Sequence, residues 1–158
     1  MRRRPNRPNT LPKGAGIQNT VRLSAQGLAK VLGDLEAKVL HAIWQLEKPS
    51  TAREVHARVH RTHRVELLTV ITVLNKLVTK GILNRAKVDD LLHYDARLGE
   101  VEFMALASRR IVEGIVSLGP EAVSASLVDV LAERDPEQLA ELGRLVRRKM
   151  REQEGEGR

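Results

Sequence analysis

The 158-residue sequence contains no cysteine, which excludes disulfide bonds, thiolate catalysis and metal sites built from cysteine. Aromatic residues are almost absent as well: Trp44, Tyr94 and Phe103 make up 2% of the chain. Proteins that hold single-stranded nucleic acid stack its bases on aromatic side chains, so this class is disfavoured. Hydrophobic residues nevertheless reach 42%, which predicts a folded protein with an aliphatic core.

Further absences narrow the function. No apolar run approaches the ~18 residues of a membrane span, and the N-terminal residues lack the apolar region of a signal peptide. We therefore expect a cytoplasmic protein that does not insert into membranes. The sequence also has no glycine-rich phosphate loop, no nucleophile elbow and no H-E-x-x-H motif. We predict neither an enzymatic activity nor a cofactor.

A group of histidines is the one hint of a metal site. His56, His60 and His63 are spaced so that the end of a helix could present them to zinc. Arginines at positions 58, 61 and 64 lie among them, and their charge opposes a bound cation. Partly exposed helix residues are the favoured interpretation, and no metal site is predicted.

Acidic residues are missing from the start of the chain. Before Asp34 there is none, whereas residues 1–27 hold six basic side chains together with three prolines. Residues 1–31 are therefore predicted to form a disordered basic arm that adds affinity for phosphate without regard to sequence, the alternative being an incidental tail. The whole chain has a net charge of +7, which favours a polyanionic partner such as nucleic acid over charge that serves solubility alone.

Three helices are predicted after the arm. The first begins near Leu32 with Asp34 as its N-cap, and the second begins with a capping box formed by Thr51 and Glu54. The third covers "ELLTVITVLNKLVTKGIL", which starts at Glu66 and is rich in β-branched residues. At about 100° per residue its apolar side chains fall in one sector, whereas a strand would scatter them over both faces, so the helix is preferred.

A hairpin and a second group of helices follow. The segment "ILNRAKVDDLLHYDA" predicts two short strands joined near Asp89 and Asp90. The fold class is therefore mainly α: a winged helix-turn-helix domain (32–98), then a helical dimerisation domain (99–153) and a flexible tail (154–158). Two short helices are predicted to begin at Pro120 and at Asp135-Pro136, and such helices cannot bury their apolar stripes without a packing partner. A homodimer is the expected solution, and an internal helical bundle is the weaker alternative.

The polar face of the third helix is the candidate reading surface. Threonine hydroxyls and methyl groups with one lysine suit the edges of bases in a major groove, whereas a merely solvated face would favour glutamate and lysine. The predicted DNA contacts lie on this face, just before it and on the wing. They are Thr69, Thr72, Asn75, Lys76, Thr79, Arg64, Arg85, Lys87 and His93.

Several segments together resemble the penicillinase repressor (BlaI/MecI/CopY) family of bacterial regulators. These are "LGDLEAKVLHAIW", "TAREVHARV" and above all "TVITVLNKLVTKGIL", which is similar to that family's signature for the recognition helix. The resemblance implies a dimeric repressor that binds palindromic operators. It also implies that Thr69, Thr72 and Lys76 contact DNA, and that a membrane-bound sensor or protease acts on the chain.

The sequence departs from the family pattern at several positions. Leu67-Leu68 stands where Tyr-Thr is common, and the acidic Asp89-Asp90 stands where the wing tip often carries glycine and arginine. Arg110-Ile111 replaces the Asn-Phe bond that is cleaved in some members, and the cysteines of the copper-responsive branch are missing. The predicted function is a sequence-specific transcriptional repressor. The alternative is a winged-helix module that binds an acidic protein.

Overall fold

The computed structural model describes residues 31–157, so the predicted basic arm lies outside the described residues except for Val31. Along the chain, three helices precede a β-hairpin and three helices follow it. The helices and strands are α1 (Asp34–Leu46), β1 (Ser50–Thr51), α2 (Ala52–His60), α3 (Leu67–Thr79), β2 (Leu83–Val88), β3 (Leu91–Ala96), α4 (Glu100–Val116), α5 (Pro120–Arg134) and α6 (Pro136–Glu156).

The winged-helix prediction is confirmed, with one strand that the sequence pattern did not indicate. Helices α1 to α3 are followed by the β2–β3 hairpin, and β1 adds to its far edge in the antiparallel order β1-β3-β2. Ser50 of β1 pairs with Tyr94, which also pairs with Arg85 of β2. A strand of two residues is too short to show a period-2 pattern, and only its pairing with β3 reveals it.

The core is mainly aliphatic, as predicted, and it also contains the fully buried Tyr94 and Phe103. Val39, Leu40, Leu74 and Leu77 are fully buried among the first three helices. The Trp44 indole donates a hydrogen bond of 2.9 Å to the Leu98 carbonyl, and its ring lies 5.6 Å from that of the buried Phe103. The start of α4 is thereby packed onto α1.

The starts of the first two helices show one correct prediction and one error. The Thr51 amide donates to the Glu54 carboxylate at 2.8 Å, and the Glu54 amide donates back to the Thr51 hydroxyl at 3.4 Å, so the capping box is confirmed. Asp34 is not the N-cap of α1, because it is already helical. Gly33 is the N-cap, and its amide donates to the Glu36 carboxylate at 2.9 Å.

The capping box makes stability depend on acid. A hydrogen bond from Lys48 (2.7 Å) and another from the Thr51 amide lower the pKa of Glu54 from 4.5 to about 2. A carboxyl whose pKa is lower in the folded state stabilises the fold fully above pH 4.5, and this contribution disappears as the pH falls towards 2. Because the side chain is 38% exposed, screening by solvent limits the contribution to about 1 kcal/mol.

Urea unfolding at pH 7, 4.5 and 3 measures this contribution. Glu54→Gln should unfold more easily than the wild type at pH 7, and the difference should shrink by roughly 0.5 kcal/mol at pH 3, since only part of the contribution is lost above pH 2. Glu47→Gln, at an exposed position, serves as the control and should track the wild type at every pH. A Glu54→Gln curve parallel to that of the wild type from pH 7 to pH 3 contradicts the prediction.

The C-terminal helices form a second compact unit that begins at Arg110, inside α4. Both predicted starts are present: Pro120 is the first residue of α5, and the Asp135 carboxylate accepts a hydrogen bond from the Gln138 amide at 3.1 Å. Helix α6 continues to Glu156, beyond the predicted start of the tail at residue 154. Neither α5 nor α6 has a buried residue. No helix within residues 31–157 is both long and apolar enough to cross a bilayer.

Candidate nucleic-acid interface

Helix α3 separates its apolar and polar residues as predicted. Val70, Leu74 and Leu77 are fully buried against the other helices. Thr69, Thr72 and Thr79 are exposed on the opposite side. Leu68 lies in the same outward sector and is 73% exposed, so the face that carries the threonines also presents a large aliphatic side chain.

Two of the threonine hydroxyls on this face already donate their protons to the backbone of α3. The Thr72 hydroxyl donates to the Leu68 carbonyl at 2.9 Å, and the Thr79 hydroxyl donates to the Asn75 carbonyl at 3.1 Å. A hydroxyl has one proton and two lone pairs. Each of these side chains therefore offers a ligand a hydrogen-bond acceptor and a methyl group, but no donor.

Lys76 does not stand free beside the threonines. Its amine lies 3.1 Å from the Glu36 carboxylate, and the amine of Lys80, one turn further along α3, lies 2.9 Å from the same group. The Lys76 side chain is 59% exposed, whereas that of Glu36 is 4% exposed. Lys76 therefore reaches back towards α1 but remains accessible to a partner.

Two lysines keep the Glu36 carboxylate ionised inside the protein. Burial alone would raise its pKa, but the hydrogen bonds from Lys80, the Gly33 amide and Lys76 outweigh burial and hold the pKa below 4.5. Because two positive charges share one negative charge, Lys76 can turn to an anion while Lys80 continues to neutralise the carboxylate.

Asn75 connects α3 to the wing. Its side-chain oxygen accepts hydrogen bonds from the Arg85 guanidinium at 2.8 Å and from the Tyr94 hydroxyl at 3.1 Å. Tyr94 is fully buried, and it is the cross-strand partner of Arg85. Asn75, predicted as a direct DNA contact, thus holds an exposed arginine of β2 beside the polar face of the helix.

The tip of the wing is a tight turn made of two aspartates. Asp89 and Asp90 have φ values of 49° and 63°, the left-handed conformation that a two-residue hairpin loop of this kind requires at both positions. Lys87 lies on the same face of the hairpin as Arg85, and its amine pairs with Asp90 at 3.0 Å. The cation predicted to contact DNA from the wing is therefore partly neutralised by the acidic tip.

Two further residues were predicted to contact DNA, His93 and Arg64, and neither lies on the face of α3 or on the hairpin face that carries Arg85. His93 follows the alternation of β3, so it lies on the face opposite Arg85 and Tyr94, where its Nδ1 atom is 3.2 Å from the Leu91 carbonyl. Arg64 is exposed in the segment before α3. Arg85, Lys87 and the α3 residues share one side of the domain.

The histidines considered as zinc ligands have a structural role. His56 Nε2 lies 2.8 Å and His60 Nδ1 lies 3.2 Å from the Val65 carbonyl, and the two rings are 5.1 Å apart. These hydrogen bonds tie the end of α2 to the segment that leads into α3. In the part of the chain that the structure describes, no three histidine or carboxylate side chains are grouped for a metal ion.

A known sequence family matches the part of the chain that holds the three helices and the wing. The description of that family is "Penicillinase repressor", and its pattern covers residues 32–150. The chain belongs to the penicillinase repressor family. The match spans the winged-helix domain and most of the C-terminal helices, and leaves residues 1–31 outside.

Two similar proteins carry the same name. Each is "Transcriptional regulator BlaI" of Mycobacterium tuberculosis, from strains CDC 1551 / Oshkosh and ATCC 25618 / H37Rv. Each is 32% identical to this chain over 74 residues, which is 47% of this chain and 54% of the relative. The chain thus spans about half the length of the curated relatives that it matches. In this member of the penicillinase repressor family, residues Arg110 and Ile111 lie within α4.

Proposed function

We propose that this penicillinase repressor family member is a homodimeric transcriptional repressor that places α3 in the major groove of a palindromic operator. The observation that carries the proposal is the outward face of α3, where exposed threonines lie beside an accessible lysine. A helix of this width fits the major groove, where each base pair presents its own pattern of donors, acceptors and methyl groups.

The chemistry of each side chain defines its proposed contact. Because the Thr72 hydroxyl proton is already donated to Leu68, Thr72 accepts a hydrogen bond from an adenine or cytosine amino group, or its methyl packs on thymine. The exposed Leu68 side chain suits a thymine methyl in the same way. Lys76 contacts guanine or phosphate, and Arg85, held by Asn75, contacts phosphate next to the groove.

The C-terminal unit supports the dimer. Helices α5 and α6 bury none of their own residues. Six of their apolar side chains are each exposed over roughly half of the side chain's own surface. These are Leu127, Val128, Val130, Leu145, Val146 and Met150. A second copy of the chain would cover such a surface with an identical one, which is the commonest arrangement among soluble oligomers.

Substitution of Thr72 tests the reading role. Selection of bound duplexes from a random pool should give the wild type a defined base at one position in each half-site, and Thr72→Ala should lose it, with about 1 to 3 kcal/mol less discrimination. Thr72→Val keeps the methyl and Thr72→Ser keeps the hydroxyl, so the variant that retains the preference identifies the contact. Ser126→Ala removes a hydroxyl from α5 and should leave the selected sequence unchanged.

The rival function is a winged-helix module that binds an acidic protein, and the same material distinguishes it. In that case purified protein would ignore duplex DNA even at low salt, and nuclease treatment would not release its partner. A repressor instead loses affinity steeply as salt rises, because lysine and arginine displace counterions from the phosphates.

A further inference from the structure

A basic pocket opens between α1 and α2. It is concave, encloses about 290 Å³, and has the buried side chains of Ala42 and Val59 in its lining. The polar lining comes from both helices and from the turn that follows α2. It consists of Lys38, His41, Gln45, Arg58, Arg61 and Thr62. No carboxylate contributes to the lining, which holds the three positive charges of Lys38, Arg58 and Arg61. The Glu100 carboxylate lies beside the lining, 3.6 Å from the His41 ring.

Two of these charges lack a partner among the residues that the structure describes. Within residues 31–157, neither Arg58 nor Arg61 makes an ion pair or a side-chain hydrogen bond, although Arg58 is half-buried. Among residues 31–157, the Lys38 amine contacts the His63 ring, 3.4 Å from its Nδ1 atom. Like charges brought together repel one another, and a bound anion would relieve that repulsion.

We propose that this pocket binds a phosphate group. Guanidinium groups match the geometry of phosphate oxygens with paired N–H donors, and a lysine adds a point charge. The Gln45 amide and the Thr62 hydroxyl also line the pocket and can orient further oxygens. The volume lies at the lower end of the range for ligand pockets, so the organic group attached to the phosphate must be small. That group would pack against the apolar part of the lining.

The position of the pocket on α1 favours a free phosphorylated compound over the DNA backbone. Glu36 faces α3, where it meets Lys76 and Lys80. At 3.6 residues per turn, the pocket residues Lys38, His41 and Gln45 lie about 140 to 200° away around the helix axis. A duplex that rests on the outer face of α3 therefore lies on the other side of α1.

Titration calorimetry of the full-length protein with inorganic pyrophosphate, at constant ionic strength, tests the proposal. The wild type should give saturable binding at one site per chain, and Arg58→Gln/Arg61→Gln should weaken it at least ten-fold. Arg58→Lys/Arg61→Lys keeps the charge but loses the paired donors, so its affinity should fall in between. Arg53→Gln/Arg97→Gln removes the same charge from exposed positions outside the pocket and should bind like the wild type.

A second titration identifies the source of the phosphate. If a random-sequence duplex of 30 base pairs binds the wild type and the Arg58→Gln/Arg61→Gln variant equally, and pyrophosphate does not displace it, the pocket takes a free phosphorylated compound. Displacement of the duplex by pyrophosphate, together with weaker duplex binding by that variant, assigns the pocket to backbone phosphate. Absence of saturable pyrophosphate binding by the folded wild type, or an equal loss in the control variant, overturns the proposal.

Discussion

Glu36→Gln is expected to make the protein less stable and at the same time to make it bind DNA more tightly. The side chain of Glu36 is almost fully buried, and its carboxylate neutralises both Lys80 and Lys76. Removal of one member of a buried ion pair leaves the other charge without compensation. Because Lys76 is more than half exposed and can turn to water, we expect a loss of about 2 to 3 kcal/mol in the free energy of unfolding rather than the larger values of fully buried pairs.

The gain in DNA affinity has a separate cause. In the proposed complex with an operator, Lys76 must leave Glu36 before it binds, and the carboxylate repels nearby phosphates. Glutamine removes both effects and raises the net charge by one, so binding should tighten and the slope of log affinity against log salt should steepen by about one unit.

Urea unfolding and DNA titrations at three salt concentrations measure the two effects. Glu47→Gln changes the net charge equally from an exposed position, and it should shift stability by less than about 0.5 kcal/mol. Unchanged unfolding of Glu36→Gln, or weaker DNA binding by its folded form, would show that Glu36 does not restrain the lysines.

The second large effect is expected at the apolar surface of α6. Val146 and Met150 are one turn apart and about half exposed. Val146→Asp/Met150→Asp should convert the proposed dimer into a monomer, because two charges in each copy would have to be buried in the contact. Affinity for a palindromic duplex should fall by about 100-fold or more, since the two half-sites are no longer bound by one linked molecule. Affinity for an isolated half-site should stay the same.

The control for this experiment lies on the opposite side of α6. Arg148→Ala/Arg151→Ala also lowers the net charge by two, at positions about 140 to 200° around the helix from Val146. Sedimentation equilibrium should find this variant dimeric, like the wild type, at micromolar concentration. A monomeric wild type, or a Val146→Asp/Met150→Asp variant that stays dimeric, would be incompatible with the proposed interface.

Local signals in the sequence predict most of the winged-helix fold. The capping box of Thr51 and Glu54 lies within four residues, and the apolar sector of α3 lies within thirteen, so short-range patterns are enough to find both. The error at Asp34 has the same origin. Aspartate is a preferred N-cap, but the Glu36 carboxylate binds the Gly33 amide and moves the start of α1 by one residue.

The arrangement of the candidate site was not predictable in this way. Glu36 and Lys80 are 44 residues apart, and Asn75 is 10 residues from Arg85 and 19 from Tyr94. Residue type alone marked Lys76 and Asn75 as polar residues of a reading face, but no spacing rule indicates which distant side chain each would meet. The position of His93 on the far face of the hairpin likewise depends on the register of β2 and β3, which the turn at Asp89 and Asp90 sets.

The hydrogen bond between Asn75 and Arg85 has a consequence for the thermodynamics of DNA binding. A free arginine side chain carries roughly 2 kcal/mol of rotamer entropy, part of which is lost when it settles on a phosphate. Here the guanidinium is already held by the helix that is proposed to enter the groove, so much of that loss occurs during folding. The wing arginine should therefore meet the duplex preorganised, with a smaller entropic penalty on association than an unrestrained surface arginine would have.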